Sequence, residues 1–190
     1  FKGGDLTRLR EAELKPLRSL MQIIFQDPYS SLNPRLTVKD IIEEGLRILK
    51  PALTEKEREN KAVSTLERVG LSVEALKKYP HEFSGGQRQR IGIARSLAVD
   101  PEFIVCDEAV SALDVSIQAQ ILNLLKSIQR ESGISFLFIT HDLGVVEYIA
   151  DEVAVMYGGR IVEAGSAEEI FTRPRHEYTV KLLNAVPRMG

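Results

Sequence analysis

Phe-Ser-Gly-Gly-Gln-Arg-Gln-Arg, at positions 83–90, is followed by an apolar run typical of a helix. Ser84 has the chemistry of a helix N-cap, and Gln87 three residues later completes a capping box. Gly85 and Gly86 leave the first backbone N–H groups of that helix open, and a helix N-terminus favours anions, phosphate above all. Because two glycines in a first turn weaken a helix that needs only a cap, the motif favours a phosphate site over an ordinary capped helix.

A second motif is an apolar, β-type run, residues 103–106, that ends in two neighbouring carboxylates, Asp107 and Glu108. Such runs are typical of buried parallel strands, and ligands in open α/β sheets gather at the carboxyl ends of the strands. Paired acids at that place suit a magnesium–phosphate site, in which one carboxylate holds the metal ion and the other takes a proton from water.

Together the two motifs resemble the nucleotide-binding subunit of an ABC transporter, with its signature motif and its Walker B motif. The resemblance covers essentially the whole chain. It implies an α/β fold with the P-loop NTPase (RecA-like) core of the ABC ATPase type and an inserted α-helical subdomain. The implied segments are the core up to the Q-loop (1–26), the helical subdomain with the signature (27–98), the core with Walker B, D-loop and switch histidine (99–166), and a C-terminal segment (167–190).

A P-loop is not found in this sequence. The pattern GxxxxGK[ST] needs a Gly-Lys pair, and the 190 residues contain none. The two motifs without a P-loop make only half of a nucleotide site. In the family the P-loop lies upstream of a segment that resembles residues 1–5, so we expect a fragment whose core is incomplete at its N-terminus and which is inactive alone. A natural relative without a P-loop is the alternative.

The resemblance assigns roles to three further residues. Gln26 resembles the glutamine of the Q-loop, which reaches the metal ion and the attacking water. Asp114 matches the D-loop, which crosses to the other site of an ATPase dimer, although a helix N-cap also explains this residue. His141 matches the switch histidine, which senses the γ-phosphate. Ala109 stands where most members carry proline, a departure that removes no ligand.

The implied mechanism is ATP hydrolysis at the interface of a head-to-tail dimer with a second ABC ATPase subunit, identical or different. Glu108, Gln26 and His141 are the expected catalytic residues, and Asp107 and Gln26 are expected to hold Mg²⁺. The expected ATP-binding residues are Ser84, Gly85, Gly86, Gln87 and Asp114, presented to the nucleotide of the partner subunit.

The amino-acid sequences of two segments resemble those of the ATPases of oligopeptide and dipeptide importers. These are the stretch 26–35, whose two prolines predict a loop, and the stretch 173–179. The implied function is to energise uptake of such peptides, with nickel or sugar as open alternatives. The implied partners are transmembrane permease subunits and, indirectly, an extracytoplasmic substrate-binding protein. The subunit would lie peripherally at the cytoplasmic face of the cell membrane.

Composition agrees with a globular protein. The chain has 190 residues, 44% of them hydrophobic, which is enough to bury a core. A net charge of -2 and a pI of about 6.0 provide no general basic field for nucleic acid. The sequence contains no run of eighteen or more apolar residues, so it predicts no membrane span. The single cysteine, Cys106, lies inside an apolar strand and is expected in the core.

Three other functions compete with this interpretation. A soluble ABC-type ATPase of DNA repair would carry long coiled coils between Gln26 and Ser84, and that short interval shows no sustained heptads. An ABC protein of translation would need a second cassette and stays open. A third alternative is a non-catalytic docking and signature module that binds partners but not nucleotide.

Overall fold

A computed structural model describes residues 1–185 and their side chains, apart from that of Pro28. The chain divides into two compact units, Phe1–Ile139 and Thr140–Gly190. The last five residues of the predicted C-terminal segment lie outside the described residues.

A three-stranded parallel sheet forms the centre of the first unit, in the order β1-β2-β3. Its strands are β1 (Met21–Ile24), β2 (Phe103–Asp107) and β3 (Ser135–Ile139). Cys106 pairs with Ile24 on one side and with Phe138 on the other. Ile24, Ile104 and Cys106 are buried, so one face of the sheet contributes to the core.

Helices fill the long connection from β1 to β2, as parallel pairing requires a crossover. They are α2 (Pro28–Ser31), α3 (Val38–Leu49), α4 (Glu55–Arg68) and α5 (Gly85–Leu97), with short 3-10 helices at Val73–Lys77 and Pro80–Glu82. Thr37 caps α3, and Thr54 with Glu57 forms a capping box at the start of α4. The helix α5 packs against α2, α3, α4 and β1, and most of its residues are buried. It is therefore the central helix of this unit.

The helix α6 (Val115–Ser132) connects β2 to β3. Asp114 caps its N-terminus, and Gly133 ends it with a φ of 66°, a left-handed conformation that glycine adopts without strain. Ile121, Leu125 and Ile128 form its buried face at helical spacing. Before the sheet, a 3-10 helix (Leu6–Arg8) and α1 (Glu11–Leu17) precede β1.

The second unit contains an antiparallel hairpin and three short helices. Its elements are α7 (Leu143–Ile149), β4 (Glu152–Tyr157), β5 (Arg160–Ser166), α8 (Ala167–Thr172) and α9 (Glu177–Asn184). Gly158 and Gly159 form the two-residue turn between the strands, with φ values of 56° and 77° that glycine adopts without strain. The carboxylate of Glu163 on β5 accepts hydrogen bonds from the N–H groups of Arg175 and His176, at 2.8 and 3.0 Å.

Among residues 1–185, no helix combines the length and the apolar character that crossing a bilayer requires. The parallel sheet with its helical crossovers agrees with the predicted α/β class. The predicted functional segments 1–26, 27–98, 99–166 and 167–190 stay a prediction.

Candidate functional site

Three predicted site residues lie where β1 and β2 end. Gln26 follows β1, Asp107 is the last residue of β2, and Glu108 comes next. Since the strands are parallel, these ends meet at one edge of the sheet. The Gln26 side chain donates a hydrogen bond from Nε2 to Glu108 Oε2 at 2.7 Å. The fold thus joins two residues that are far apart in sequence.

The backbone of Glu108 is in the left-handed region, with a φ of 47°. This conformation is uncommon for a residue with a side chain and persists where the surrounding structure fixes it. The N–H of Glu108 donates to Ile139 O at 2.9 Å, and its carbonyl oxygen accepts from both the N–H and the hydroxyl of Ser111 at 3.0 Å. These bonds hold the sharp turn that follows β2, in which Ala109 is buried.

Oxygen donors suited to a magnesium ion are present at this edge. The carboxylate of Asp107 and the amide oxygen of Gln26 are hard ligands, the type that Mg²⁺ prefers. Within the described part of the chain, no group of three or more His, Cys, Asp or Glu side chains could hold a metal ion. Magnesium commonly takes one or two protein ligands and completes its shell with water and substrate phosphates. The donor set therefore fits a metal ion that arrives with a nucleotide.

The predicted capping box at the start of α5 is confirmed. Ser84 Oγ accepts from the N–H of Gln87 at 3.4 Å, and Gln87 Oε1 accepts from the N–H of Ser84 at 3.0 Å. The N–H groups of Gly85 and Gly86 belong to the first turn, where no intrahelical acceptor exists. Ser84 and Gln87 are exposed, so an anion can reach this end of the helix.

Gly86 is buried against α6. A β-carbon at this position would lie 2.5 Å from Ile117 Cγ2, closer than real β-carbons approach other atoms. A β-carbon at Gly85 would meet only Leu113 Cδ2, at an ordinary 3.8 Å. The close approach of α5 to α6 thus requires a glycine at position 86, a packing role that sequence reasoning missed.

The two remaining predicted residues both stand at helix starts. Asp114 is exposed, and its Oδ1 accepts from the N–H of Ile117 at 3.0 Å, which makes it the N-cap of α6. His141 is exposed and belongs to the second unit, directly before Asp142, the N-cap of α7. All the other predicted site residues belong to the first unit.

Two arginines on α5 were missed as well. Arg88 is 8% exposed, donates from Nε to Pro80 O at 2.7 Å, and stacks on the Tyr29 ring at 3.8 Å from its centroid. Arg95 Nη1 donates to Ser31 O at 2.6 Å, and burial lowers the pKa of the Arg95 guanidinium. The sequence contains a signal for this burial, because its heptad spacing places Arg88 and Arg95 on the same helix face as the buried residue Ile91.

Residues 1–111 match the family described as ABC transporter, and residues 162–190 match the C-terminal region of oligopeptide/dipeptide transporters. The oligopeptide transport ATP-binding protein OppF of Bacillus subtilis is 62% identical over 188 residues, which are 98% of this chain and 62% of that protein. The dipeptide transport ATP-binding protein DppF of Lactococcus lactis is 51% identical, with 98% of this chain and 60% of that protein covered. The chain thus spans about three fifths of the length of these relatives.

Two solved structures share the fold. The ATP-binding cassette MJ0796, a dimer in a post-hydrolysis state with ADP and Pi, superimposes with a TM-score of 0.74 at 28% identity, covering 88% of this chain and 72% of that one. CbiO1 of Clostridium perfringens, part of the transporter complex CbiONQ, gives a TM-score of 0.76 at 30% identity, covering 94% and 69%.

Proposed function

We propose, because this chain belongs to the ABC transporter family, that it forms the larger part of an ATP-hydrolysing subunit that energises peptide uptake. The predicted family resemblance and the predicted fold class are confirmed by the family match and by the two solved structures. Oligopeptides or dipeptides are the proposed cargo. The match of residues 162–190 and the names of the relatives support this choice.

The hydrogen bond between Gln26 and Glu108 is the observation that carries the proposed activity. It orients the carboxylate of Glu108, the group that we propose accepts the proton of an attacking water. Since phosphoryl transfer depends mostly on positioning and charge stabilisation, an aligned base at the sheet edge is what the reaction needs. Gln26 acts by holding that base in place.

Asp107 and Gln26 would hold the magnesium ion, which when bound neutralises phosphate charge. In the proposed head-to-tail dimer, Ser84 and the first-turn N–H groups of α5 stabilise the γ-phosphate held by the other subunit. Asp114 would cross to that site, and His141 would sense the γ-phosphate.

The phosphate cradle of the nucleotide is proposed to come from outside these 190 residues, because they contain no Gly-Lys pair. The isolated 190-residue chain is then inactive, and the full-length protein is active. A Mg-ATP titration of both tests this, with binding by the full-length protein alone as the expected result. Tight binding of ATP by the short chain alone would contradict it.

The proposed setting is the cytoplasmic face of a membrane, with the subunit bound peripherally to transmembrane permease subunits. A second ABC ATPase subunit completes the dimer, and a substrate-binding protein outside the membrane acts indirectly. Co-purification of the tagged full-length protein with a permease tests this setting. Recovery with nucleic acid or ribosomes instead would favour the soluble alternatives.

The residue-level test is Glu108→Gln in the full-length protein. It removes the base without changing its shape, so turnover should fall by about 10²- to 10⁴-fold while ATP affinity is retained. Glu102→Gln is the matched control, because Glu102 precedes β2 at its other end, is paired with Lys2 at 2.5 Å, and should leave turnover unchanged. Unchanged turnover in Glu108→Gln would refute the assigned role.

A further inference from the structure

Arg88 is a buried cation in the first turn of α5 whose contacts are two carbonyl oxygens and an aromatic ring. Nε donates to Pro80 O at 2.7 Å, and Nη2 donates to His81 O at 3.3 Å. A planar guanidinium presents several donors in a fixed fork, so it can satisfy both carbonyls at once, which an ammonium group cannot do in the same way. Arg88 thus attaches the segment that contains Pro80 and His81 to the start of α5.

The face of the guanidinium is covered by Tyr29. The Cζ atom of Arg88 lies 3.8 Å from the centroid of the tyrosine ring, well inside cation–π distance. Tyr29 belongs to α2, the one-turn helix directly after Gln26, and its N–H is fixed by Asp27 Oδ1 at 2.8 Å. Tyr29 as a residue is 64% exposed, so it contributes little to the core.

The stack connects two parts of the chain that are proposed to act at the two different ATP sites of the dimer. On one side, the short segment from Gln26 to Tyr29 leads back to the hydrogen bond with Glu108. On the other side, Arg88 holds the carbonyls that precede the exposed N-terminus of α5. A second bond, from Arg95 to Ser31 O at 2.6 Å, fixes α2 to α5 near the other end of the helix. The Arg88–Tyr29 stack thus joins α2 to the first turn of α5, and the Arg95–Ser31 bond joins α2 to the last turn of that helix.

We propose that Arg88, stacked on Tyr29, is a positioning residue that fixes the position of the first turn of α5 relative to the Gln26–Glu108 pair. This inference rests on the proposed function, because that turn is proposed to act on the nucleotide of the other subunit. Arg88 touches no reacting atom. Its effect therefore falls on turnover in the assembled dimer, and not on the affinity of a subunit for its own ATP.

The experiment compares ATPase kinetics of full-length variants under Mg-ATP. Tyr29→Leu removes the ring face and should lower kcat about threefold, the size expected of an exposed cation–π contact, with KM and the melting temperature unchanged. Tyr29→Phe keeps the ring and should restore wild-type kcat. Arg88→Met removes the fork and should lower kcat by about tenfold or more, with Arg88→Lys between it and the wild type.

Tyr79→Leu is the matched control. Tyr79 is another exposed tyrosine beside the signature, 41% exposed, but it stacks on His81 at 5.8 Å and not on an arginine. It should leave kcat unchanged. Equal kcat for Tyr29→Leu and Tyr29→Phe would overturn the inference even if Arg88→Met does not fold. So would arginine variants that lower only the melting temperature. The proposed function fails separately, if the wild-type protein shows no ATPase activity.

Discussion

Replacing Gly86 by alanine should separate the signature helix α5 from α6. The new β-carbon would lie 2.5 Å from Ile117 Cγ2, whereas comfortable carbon–carbon contacts begin near 3.5 Å, so about 1 Å must be opened. Overpacking of this kind typically costs about 1–3 kcal/mol. The atom in the way is a methyl group on the β-carbon of a branched side chain, which cannot swing aside as the end of a long chain can.

Gly85→Ala supplies the reference for this loss. Alanine favours a helix over glycine by up to about 1 kcal/mol, and both variants receive this gain. A β-carbon at position 85 meets Leu113 only at 3.8 Å, so no overpacking is expected there. The free energy of unfolding should therefore be lower for Gly86→Ala than for Gly85→Ala by about 1–3 kcal/mol.

Urea denaturation followed by circular dichroism measures the difference, provided that the m values of the two variants agree. Adding Ile117→Ala removes the obstructing methyl group and should cancel most of the penalty in the double variant. If Gly86→Ala were as stable as Gly85→Ala, the close approach of α5 and α6 would be refuted.

Further predictions concern Cys106 and Asp114. Burial raises the pKa of the Cys106 thiol to about 12, so the native thiol should react with iodoacetamide at pH 8 at least about tenfold more slowly than in urea. The thiol ionises at lower pH in the unfolded chain than in the folded one. The stability linked to Cys106 should therefore be present below about pH 9 and be lost as the pH rises towards 12. Unfolding of Cys106→Ala and of the wild type, measured as a function of pH, would show this difference. Asp114→Ala should cost about 1 kcal/mol through loss of the α6 cap, whereas Asp114→Asn keeps the cap and should keep the stability. A fall of ATPase turnover in the stable Asp114→Asn would then report a role beyond capping, and unchanged turnover would leave capping as its whole role.

Local features could be read from the sequence. The capping boxes of α4, α5 and α8 each involve two residues within one turn, so the pattern and the structure agree at Thr54, Ser84 and Ser166. The strand β2 coincides with the apolar run that precedes Asp107 and Glu108, and a glycine pair suits the tight turn between β4 and β5. These features depend on interactions within a few residues, which a sequence displays directly.

The stretch after β1 was predicted wrongly as a loop throughout. It contains α2, with Asp27 as N-cap and Pro28 at the first helical position. Proline is well suited to that position, because its missing N–H would have no acceptor there and its φ is already helical. The two prolines predict a loop, although the first of them starts a helix.

Long-range contacts could not be predicted from local pattern. The bond between Gln26 and Glu108 spans two strands, and their nearness followed from the family resemblance and the parallel order of strands rather than from either residue. Arg88 looked like one of several charged residues after the signature. Only the fold shows that Pro80, His81 and Tyr29 surround it.

Gly85 and Gly86 of the signature differ in what a substitution can reveal about function. Packing against Ile117 requires glycine at position 86 whether or not phosphate binds, so a loss of activity in Gly86→Ala has two explanations. At position 85 the fold tolerates alanine, and any requirement for glycine there comes from close approach to a ligand. Gly85→Ala in the full-length protein should therefore keep its stability and lose ATPase turnover. Full turnover in that variant would remove the glycine pair as an argument for a phosphate site and leave the Gln26–Glu108 pair as the structural support for the proposed activity.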